Sequence, residues 1–458
     1  MRIHIIAIGG AVMHNLALEL HRNGHQISGS DDEIYNPARD RLANAGILPA
    51  EYGWYPDKLD GTIDLVILGM HARKDNPELA AAQSLGLEIK SYPAFIFDHA
   101  KDKKRIVVAG SHGKTTTTSM IMHVMKCCDI SFDYLVGAQL AGFDLMVHLS
   151  DAPWMVIEGD EYLASPIDLH PKMLYYHPHL AVITGVEWDH MNVFPTNQSY
   201  LDQFSKFLQT IESRGKVFYQ AEAPNLAKII STAPTTIDCI AYDHHSFEQN
   251  ENGISLIDQD GNPHPAEVFG MHNLQNMQAA RMVLREVGIT DTEISRHLAT
   301  FQGAAKRLQV LARMDNSVAY LDFAHAPSKV KATVAAVREQ YPNAFIRGIL
   351  ELHTFSSLNP DFLVQYAHSL DALDSAVVFY DAHTLKMKQM ADLDPQFVKS
   401  CFRNEELMVI NQSELFKEYL LELPFKGEVT LIMSSGNLAK VAIGDLASEK
   451  LSTSGNFI

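Results

Sequence analysis

Residues 106–116 have the sequence IVVAGSHGKTT, an apolar run that leads into a glycine-containing loop. The run predicts a buried strand, and the residues after the loop predict a helix with Met120 and Val124 on one face. A glycine loop between a strand and a helix can wrap its backbone N–H groups around a phosphate, and the helix N-terminus adds positive potential. We therefore predict a phosphate-binding loop in which Lys114 neutralises the β- and γ-phosphate oxygens and Thr115 binds Mg²⁺.

The spacing within this loop differs from the standard phosphate-loop pattern. Three residues separate Gly110 from Lys114, where the standard pattern has five. A glycine turn with an exposed lysine is therefore the alternative interpretation. The residues predicted to contact nucleotide phosphates are Gly110, Ser111, His112, Gly113, Lys114, Thr115 and Thr116.

Acidic and imidazole side chains follow two other apolar runs. Glu158 comes directly after the run 154–157, and His190 comes shortly after the run 180–186. Because the carboxyl ends of parallel strands lie at one edge of a sheet, we expect both side chains to face the phosphates held by Lys114. Carboxylate and imidazole groups can hold a Mg²⁺ ion there. Taken singly, Glu158 could be a loop carboxylate or helix cap, and His190 an ordinary loop histidine.

Length and composition exclude several classes of protein. A chain of 458 residues exceeds one ordinary core and predicts two or three domains. The formal net charge of -18 argues against nucleic acid as a partner, since phosphate backbones are bound by clustered Lys and Arg. Four cysteines without metal-ligand spacing, no expected signal peptide and no apolar stretch of membrane-spanning length indicate a cytoplasmic protein that does not bind membranes.

Strand and helix patterns alternate along the whole chain and predict an α/β fold in three segments. We place their boundaries so that the segments are 1–101, 102–307 and 308–458, with the basic run 101–104 at the first junction. Each segment is expected to hold a parallel sheet covered by helices. The last segment shows a doubly wound pattern with five strands, each followed by a helix, at 318–323, 345–350, 376–380, 407–410 and 429–433.

Further polar residues downstream have two interpretations each. Asn273 and Asn276 stand three apart at the start of a predicted helix, where their amides could recognise an adenine edge, although Asn273 could be only an N-cap. Arg307 lies at the predicted domain junction and could reach a γ-phosphate, or be a solvated linker charge. Asp322 and His325 end the first strand of the last segment and could contact ribose or metal, or form a capped turn.

The motifs GSHGKTT, EGDEY, EWDH, GMHNLQN, KR and DFAHAP, in this order, resemble those of the Mur ligase family along essentially the whole chain. Near the N-terminus, IGGAVM at 8–13 and SGSD at 28–31 resemble the uridine-binding loop of members that act on UDP-N-acetylmuramate. The resemblance implies a Rossmann-like UDP-sugar-binding domain, a central ATPase domain with a parallel sheet, and a C-terminal Rossmann-like domain that brings the incoming amine. It implies ATP and Mg²⁺ as cofactors.

The resemblance also implies a mechanism and a set of site residues. ATP phosphorylates the lactyl carboxylate of the sugar, the amine attacks the acyl phosphate, and phosphate leaves. The implied catalytic residues are Lys114, Glu158, His190 and Arg307. The implied magnesium ligands are Thr115, Glu158 and His190. Beyond the phosphate loop, the implied ATP contacts are Asn273, Asn276, Arg307, Asp322 and His325, and the implied UDP-sugar contacts are Gly9, Gly10, Ala11, Ser30 and Asp31.

Two positions depart from the family pattern, and a third bears on the acceptor. Ala326 replaces a second histidine, and Asn15 stands where a glycine often closes the uridine loop. Thr354 replaces the arginine that alanine-adding members typically carry, which removes a guanidinium fork for the carboxylate of a single amino acid. We therefore expect a murein peptide as the acceptor, with L-alanine as the alternative. His383, Lys386 and Lys388 could meet charge along a longer acceptor, or lie in a solvated loop.

Two hypotheses from other classes compete with a ligase. A nucleotide-sensing switch would use the phosphate loop without forming a bond and would not need Glu158 and His190. A dinucleotide-dependent oxidoreductase is suggested by Ile8, Gly9 and Gly10, but the G-x-G-x-x-G spacing is missing there. The ligase hypothesis needs only small-molecule partners: ATP, UDP-N-acetylmuramate and the amine.

Overall fold

The computed structural model describes most of the chain and divides it into two compact units. The described residues are 1–188, 193–250, 253–266, 269–303 and 307–452. The first unit comprises Met1–Val186, Gln198–His244 and Gln275–Leu298, and the second comprises Glu187–Asn197, His245–Leu274 and Ala299–Ile458. Among the described residues, the structure contains no helix long and apolar enough to span a bilayer.

The first unit begins with a four-stranded parallel sheet of order β2-β1-β3-β4. Its strands are β1 (Arg2–Ile6), β2 (Gln26–Ser30), β3 (Leu65–Leu68) and β4 (Ile89–Ser91), and its helices are α1 (Ala11–Arg22), α2 (Ala38–Asn44), α3 (Pro77–Ser84) and α4 (Tyr92–Ala100). Apolar side chains on both faces of β1 and β3 are buried, as expected for a sheet covered by helices. Ile6 lies opposite Ser30, so the loops after β1 and β2 leave the sheet at the same edge.

A second sheet in the first unit has seven strands in the order β11-β10-β9-β5-β8-β6-β7. Its strands are β5 (Lys104–Ala109), β6 (Phe132–Leu135), β7 (Val147–His148), β8 (Trp154–Gly159), β9 (Leu180–Ile183), β10 (Lys216–Gln220) and β11 (Asp238–Tyr242). Strands β6 and β7 pair antiparallel, and the other neighbouring strands pair parallel. The central strand β5 lies between β8 and β9, with Ala109 opposite Gly159. The phosphate loop and Glu158 therefore lie at one edge, as the sequence predicts.

Helices of the middle of the chain include α5 (Lys114–Cys127), α6 (Asn197–Thr210), α7 (Leu226–Ile230), α8 (Met271–Val287) and α9 (Asp291–Ala299). The predicted helix after the phosphate loop is confirmed as α5. The apolar run 180–186 is only partly a strand: β9 ends at Ile183, and Thr184 beyond it still donates its N–H to Ala109 O.

Helix α1 is joined to the second sheet by polar side chains spaced four residues apart, which places them on one helix face. The Oδ1 atom of Asn15 accepts the N–H of Met146 at 3.0 Å, and Oε1 of Glu19 accepts the N–H of Leu149 at 2.8 Å. Asn23 donates its side-chain amide to Leu149 O at 2.9 Å. Within the first unit, these three bonds link side chains of α1 and its C-cap to main chain beside β7, and Glu19 also pairs with the His148 side chain at 2.9 Å.

The second unit contains a small antiparallel sheet of β12 (Phe247–Asn250), β13 (Gly253–Ile257) and β14 (Pro263–Ala266). A six-stranded sheet follows in the order β15-β16-β20-β17-β18-β19. Its strands are β15 (Gln309–Met314), β16 (Ser317–Asp322), β17 (Ile346–Glu351), β18 (Ser375–Phe379), β19 (Met408–Ile410) and β20 (Val429–Ser434). Its helices are α10 (Pro327–Gln340), α11 (Pro360–Leu363), α12 (Ala382–Met387), α13 (Pro395–Phe402), α14 (Ser413–Glu422) and α15 (Ile443–Ser452).

The α/β prediction is confirmed, including the five parallel strands of the last segment. Buried apolar clusters lie on both faces of its sheet, as a doubly wound domain requires. The sequence did not predict the antiparallel strand β15 or the small sheet of β12 to β14. Strand β15 lies at the sheet edge with every residue at least partly exposed, so it lacks the buried apolar run that marks the other strands. The segment boundaries at 101 and 307 stay predictions.

Candidate functional site

The glycine loop between β5 and α5 has a backbone that suits glycine at two positions. Gly110 has φ of 129° and Gly113 has φ of 71°, both in the region that L side chains rarely adopt. Ser111 donates its N–H to Gly185 O at 2.9 Å, which ties the loop to the segment after β9. The predicted order of strand, loop and helix is confirmed.

Lys114, the first residue of α5, is buried in an ion pair. Its Nζ donates to Gly110 O at 2.6 Å and to Oε2 of Glu161 at 2.8 Å, with the two side chains only 11% and 1% exposed. Burial by itself lowers the pKa of Lys114, but the carboxylates of Glu161 and Asp160 outweigh it and the net pKa is raised. Lys114 is therefore a charged ammonium at neutral pH, and the alternative of an exposed lysine is wrong.

Glu158 lies within β8, so the alternative of a loop carboxylate or helix cap is wrong. Its Oε1 accepts the hydroxyl of Thr115 at 2.7 Å, and its Oε2 accepts the N–H of Gly137 at 2.8 Å. Burial, with a further contribution from Asp160, raises the pKa of Glu158, while Lys114 opposes that shift. A buried carboxylate of this kind is stabilised by a nearby cation.

The donor set fits a Mg²⁺ ion. Hydroxyl and carboxylate oxygens are the ligands that Mg²⁺ takes in nucleotide sites, usually with phosphate oxygens and water completing the shell. Among the described residues, the structure assembles no group of three His, Cys, Asp or Glu side chains for a metal. His190 lies outside the described residues, so its place among the ligands stays a prediction, as do the roles of Thr115 and Glu158.

Glu161 is a site residue that sequence reasoning missed. It is fully buried, pairs with Lys114 and accepts the hydroxyl of Tyr200 at 3.4 Å. It belongs to the motif EGDEY, in which only Glu158 was given a role. Its partner lies 47 residues away, and no local spacing could have indicated the pairing.

Asn276 contacts the phosphate loop from helix α8. Its Oδ1 accepts the hydroxyl of Thr117 at 3.2 Å, and a Cβ atom on Gly113 would lie only 2.4 Å from this oxygen. Asn273 is the third residue of α8 and donates its amide to Phe269 O at 2.8 Å, so the N-cap alternative is wrong. Recognition of adenine by either side chain stays a prediction.

Gly113→Ala is expected to weaken nucleotide binding by about tenfold or more. The backbone of an alanine would be strained at this φ, and its Cβ atom would displace the side chain of Asn276. Titration calorimetry with Mg·ADP would measure the change. Gly24→Ala is the matched control, since Gly24 has φ of 83° but a Cβ atom added there would meet no other atom within 4 Å. Equal affinities for ADP in the Gly113→Ala variant and the wild type would show that the loop tolerates a side chain.

The residues predicted to bind the UDP-sugar lie together at the edge of the first sheet. Gly9 donates its N–H to Oδ2 of Asp31 at 2.7 Å, and Gly53 donates to Asp31 O at 2.7 Å. Burial raises the pKa of Asp31 to about 6, against the opposing N–H of Gly9. Ser30 is also buried, while Gly10 and Ala11 lead into α1. The structure thus brings both N-terminal motifs to one place, and their contact with a sugar nucleotide stays a prediction.

Comparison with known proteins decides the class. Residues 2–104 match the family model described as Mur ligase family, catalytic domain, and residues 108–284 match the Mur ligase middle domain. A UDP-N-acetylmuramate--L-alanine ligase of Streptococcus equi subsp. zooepidemicus is 31% identical over 81% of this chain and 82% of its own. The chain belongs to the Mur ligase family. It is therefore an ATP-dependent, amide-forming ligase of peptidoglycan biosynthesis.

The names of the relatives of this Mur ligase specify two different acceptors, L-alanine and a peptide. The UDP-N-acetylmuramate--L-alanyl-gamma-D-glutamyl-meso-2,6-diaminoheptandioate ligase of Escherichia coli is 28% identical over 74% of this chain and 76% of its own. A crystal structure of a murein peptide ligase from Psychrobacter arcticus covers 100% of both chains, with a TM-score of 0.68 and 21% identity, and supports the fold. Membership of a ligase family sets aside the nucleotide switch and the oxidoreductase.

In the second unit of this Mur ligase, the ring of Phe323 lies between two predicted ATP contacts. The guanidinium of Arg307 lies 4.6 Å from the ring centre, and the imidazole of His325 lies 5.1 Å from it, edge to face. The carboxylate of Asp322 accepts N–H groups from Leu308 and Ala324, both at 2.7 Å. The Ala324 contact is that of a capped turn, the alternative interpretation for Asp322, and contact with ATP stays a prediction for Arg307, Asp322 and His325.

A cavity of about 340 Å³ lies at the carboxyl ends of β17 and β18 in the second unit. Its ionisable lining side chains are Glu351, His353, Asp381, His383, Lys417 and Lys440. Of the three residues that the sequence suggested for contact with a longer acceptor, His383 lines the cavity. Lys386 and Lys388, which lie in a fully described part of the chain, do not. Lys388 instead lies over the ring of Phe355 at 4.3 Å, and burial lowers its pKa.

Proposed function

We propose that this Mur ligase joins the lactyl carboxylate of UDP-N-acetylmuramate to the amine of the murein tripeptide L-alanyl-γ-D-glutamyl-meso-diaminopimelate. The reaction uses ATP and Mg²⁺ and serves peptidoglycan recycling in the cytoplasm. Three domains carry it: residues 1–101 bind the UDP-sugar, 102–307 bind ATP, and 308–458 bind the peptide. Relatives of similar sequence identity differ in the acceptor that their names specify. The cavity of the second unit, with its charged lining, is the observation that supports a peptide as the acceptor here.

The phosphate loop supplies the electrostatics of the first step. A phosphoryl group moves from ATP to the lactyl carboxylate through a transition state stabilised by positioning and by nearby positive charge. Lys114 is held in place by Gly110 O and Glu161, so its ammonium is oriented before a nucleotide enters. Thr115 and Glu158 would hold Mg²⁺, which offsets charge on the phosphate oxygens when bound. The amine then displaces phosphate from the acyl phosphate and forms the amide bond.

Charge and size of the cavity both favour a peptide. A tripeptide with several carboxylates and amines matches a lining that carries cationic Lys417 and Lys440 together with anionic Glu351 and Asp381. The volume of about 340 Å³ lies in the range of small-ligand pockets and exceeds the need of L-alanine. Thr354 points its hydroxyl at Ser357, at 2.9 Å, and so provides no substitute for a carboxylate-binding arginine.

Competition between acceptors tests the proposal. With ATP, UDP-N-acetylmuramate and equal concentrations of L-alanine and the tripeptide, we expect the UDP-linked tripeptide to exceed the alanine product by about tenfold or more, because only the peptide meets the far charges of the cavity. Mass spectrometry of the products gives the ratio. Predominance of the alanine adduct would instead assign the chain to the alanine-adding branch of the family, which is the second candidate favoured by the Streptococcus relative.

Variants of lining residues test whether the cavity determines the preference for the tripeptide over L-alanine. Lys417→Met should lower kcat/KM for the tripeptide by about tenfold, the loss of one well-placed charge contact, while leaving the steady-state rate of ATP hydrolysis in the absence of acceptor unchanged. Lys386→Met, which lies in α12 with the lining residue His383 but does not itself line the cavity, is the matched control. Equal effects of both variants would contradict the placement of the peptide.

A further inference from the structure

A loop between β6 and β7 contacts the proposed magnesium ligand. We call residues 137–145 the bridging loop; its base is closed by the hydrogen bond from Val136 N to Met146 O at 2.9 Å. Its first residue, Gly137, donates the N–H that Oε2 of Glu158 accepts at 2.8 Å. Because Glu158 is buried and a Cβ atom on Gly137 would lie 3.1 Å from its carboxylate, any shift of the loop base changes the position or hydrogen bonding of that side chain.

The other side of the bridging loop is held by the first sheet's helices. Both terminal nitrogens of the Arg41 guanidinium donate to Oε1 of Gln139 at 3.2 Å, and Nη1 also donates to Oδ1 of Asn15 at 3.3 Å. The same Asn15 oxygen accepts the N–H of Met146 at 3.0 Å. The Gln139 amide in turn donates to Phe143 O across the loop. One buried oxygen of Asn15 thus joins α2 to the loop base.

Asn15 also contacts the predicted UDP-sugar loop. Its Nδ2 donates to Ala11 O at 2.8 Å and lies 3.0 Å from Nε2 of His14, whose Nδ1 lies 2.9 Å from Gly10 O. Burial lowers the pKa of His14, and Arg41 lowers it further, so the ring is neutral at neutral pH and bonds both partners. This gives a physical role to the asparagine that departs from the family's glycine.

These contacts form one continuous path within the first unit, from Ala11 through Asn15, Arg41 and Gln139 to Gly137 and Glu158. We infer that Asn15, Arg41 and Gln139 are positioning residues that couple occupation of the UDP-sugar site to the placement of Glu158, and so to the binding of Mg·nucleotide. The inference rests on the proposed function. Coupling of this kind is reciprocal, since a sugar nucleotide that tightens Mg·ADP binding must itself bind more tightly when Mg·ADP is present.

The test measures that coupling directly. Titration calorimetry would give the Kd of Mg·ADP with and without saturating UDP-N-acetylmuramate, and we expect the ratio to be about fivefold or more in the wild type. In Arg41→Ala and Gln139→Ala the ratio should fall to within about twofold of unity, while Mg·ADP still binds without the sugar nucleotide. Arg39→Ala on the same helix, exposed and paired with its neighbour Asp40, should keep the wild-type ratio.

The outcomes separate this inference from the function on which it rests. Wild-type protein that binds UDP-N-acetylmuramate with a ratio of one, or variants that keep the full ratio, would overturn the coupling and leave the ligase proposal standing. Loss of Mg·ADP binding without the sugar nucleotide would show a merely structural role. Wild-type protein that binds no UDP-N-acetylmuramate would overturn the proposed function itself. Arg41→Lys, which keeps the charge with fewer donors, should restore part of the ratio and covers the case in which Arg41→Ala fails to fold.

Discussion

Replacing Lys114 with alanine is expected to lower the rate of ligation by on the order of a thousandfold or more, because an ammonium beside the transferring phosphoryl group stabilises its developing charge by several kcal/mol. The side chain is buried at the N-terminus of α5 and oriented by Gly110 and Glu161, so alanine removes a preorganised charge and not a mobile one. Product formation under saturating ATP would measure the effect. Lys228→Ala in α7, an exposed lysine of the same unit, is the control.

A second variant separates catalysis from stability. Alanine at position 114 leaves Glu161 as a buried carboxylate without its cation, which by itself costs several kcal/mol of folding free energy. The double variant Lys114→Ala with Glu161→Gln removes that charge, so it should regain thermal stability and stay as inactive as the single variant. Recovery of near-normal turnover in a folded variant without Lys114 would contradict its assignment to the phosphate site.

Glu158→Gln is expected to raise the Mg²⁺ concentration for half-maximal activity by about tenfold or more, because one ligand oxygen loses its charge while the side-chain shape is kept. The amide oxygen can still accept from Thr115 or Gly137, so the fold of the loop should survive. Activity measured across a Mg²⁺ titration gives the shift, and thermal unfolding without Mg²⁺ checks that the variant is folded.

A control variant in the same unit tests whether the change in Mg²⁺ dependence is specific to Glu158. Glu222→Gln changes an exposed carboxylate and should leave the Mg²⁺ titration unchanged. An unchanged titration in Glu158→Gln as well would make Glu158 a structural residue that only anchors Thr115 and Gly137, and the metal would then have to be held without it.

The sequence predicts the parts of this site that are formed by consecutive residues. The apolar run before Gly110, the glycines and the following helix are local patterns, and each predicts the backbone that the structure has. The alignment of Glu158 with the phosphate loop also followed, because parallel strands share an edge. The small sheet of β12 to β14 was missed, since its strands alternate too little to be distinguished from a polar loop.

Pairings between distant residues could not be predicted. Lys114 and Glu161 are 47 positions apart, and Arg41 and Gln139 are 98 positions apart. Nothing in the composition of either segment indicates its partner, because the first pair forms only when β5 and β8 align in one sheet and the second only when two sheets have packed. The departure at Asn15 was visible as an unusual residue, but its function in bonding Met146 depends on the approach of α1 to the second sheet.

The attachment of α1 has an evolutionary consequence. Asn15, Glu19 and Asn23 supply the side chains, whereas residues 146 and 149 supply only peptide groups. Every amino acid except proline offers the same peptide N–H and C=O, so the receiving segment can drift in sequence without losing these three bonds. In recombination between relatives, these three bonds would therefore constrain only the N-terminal side, whereas the pairing of Glu19 with the His148 side chain and of Arg41 with Gln139 would constrain both sides.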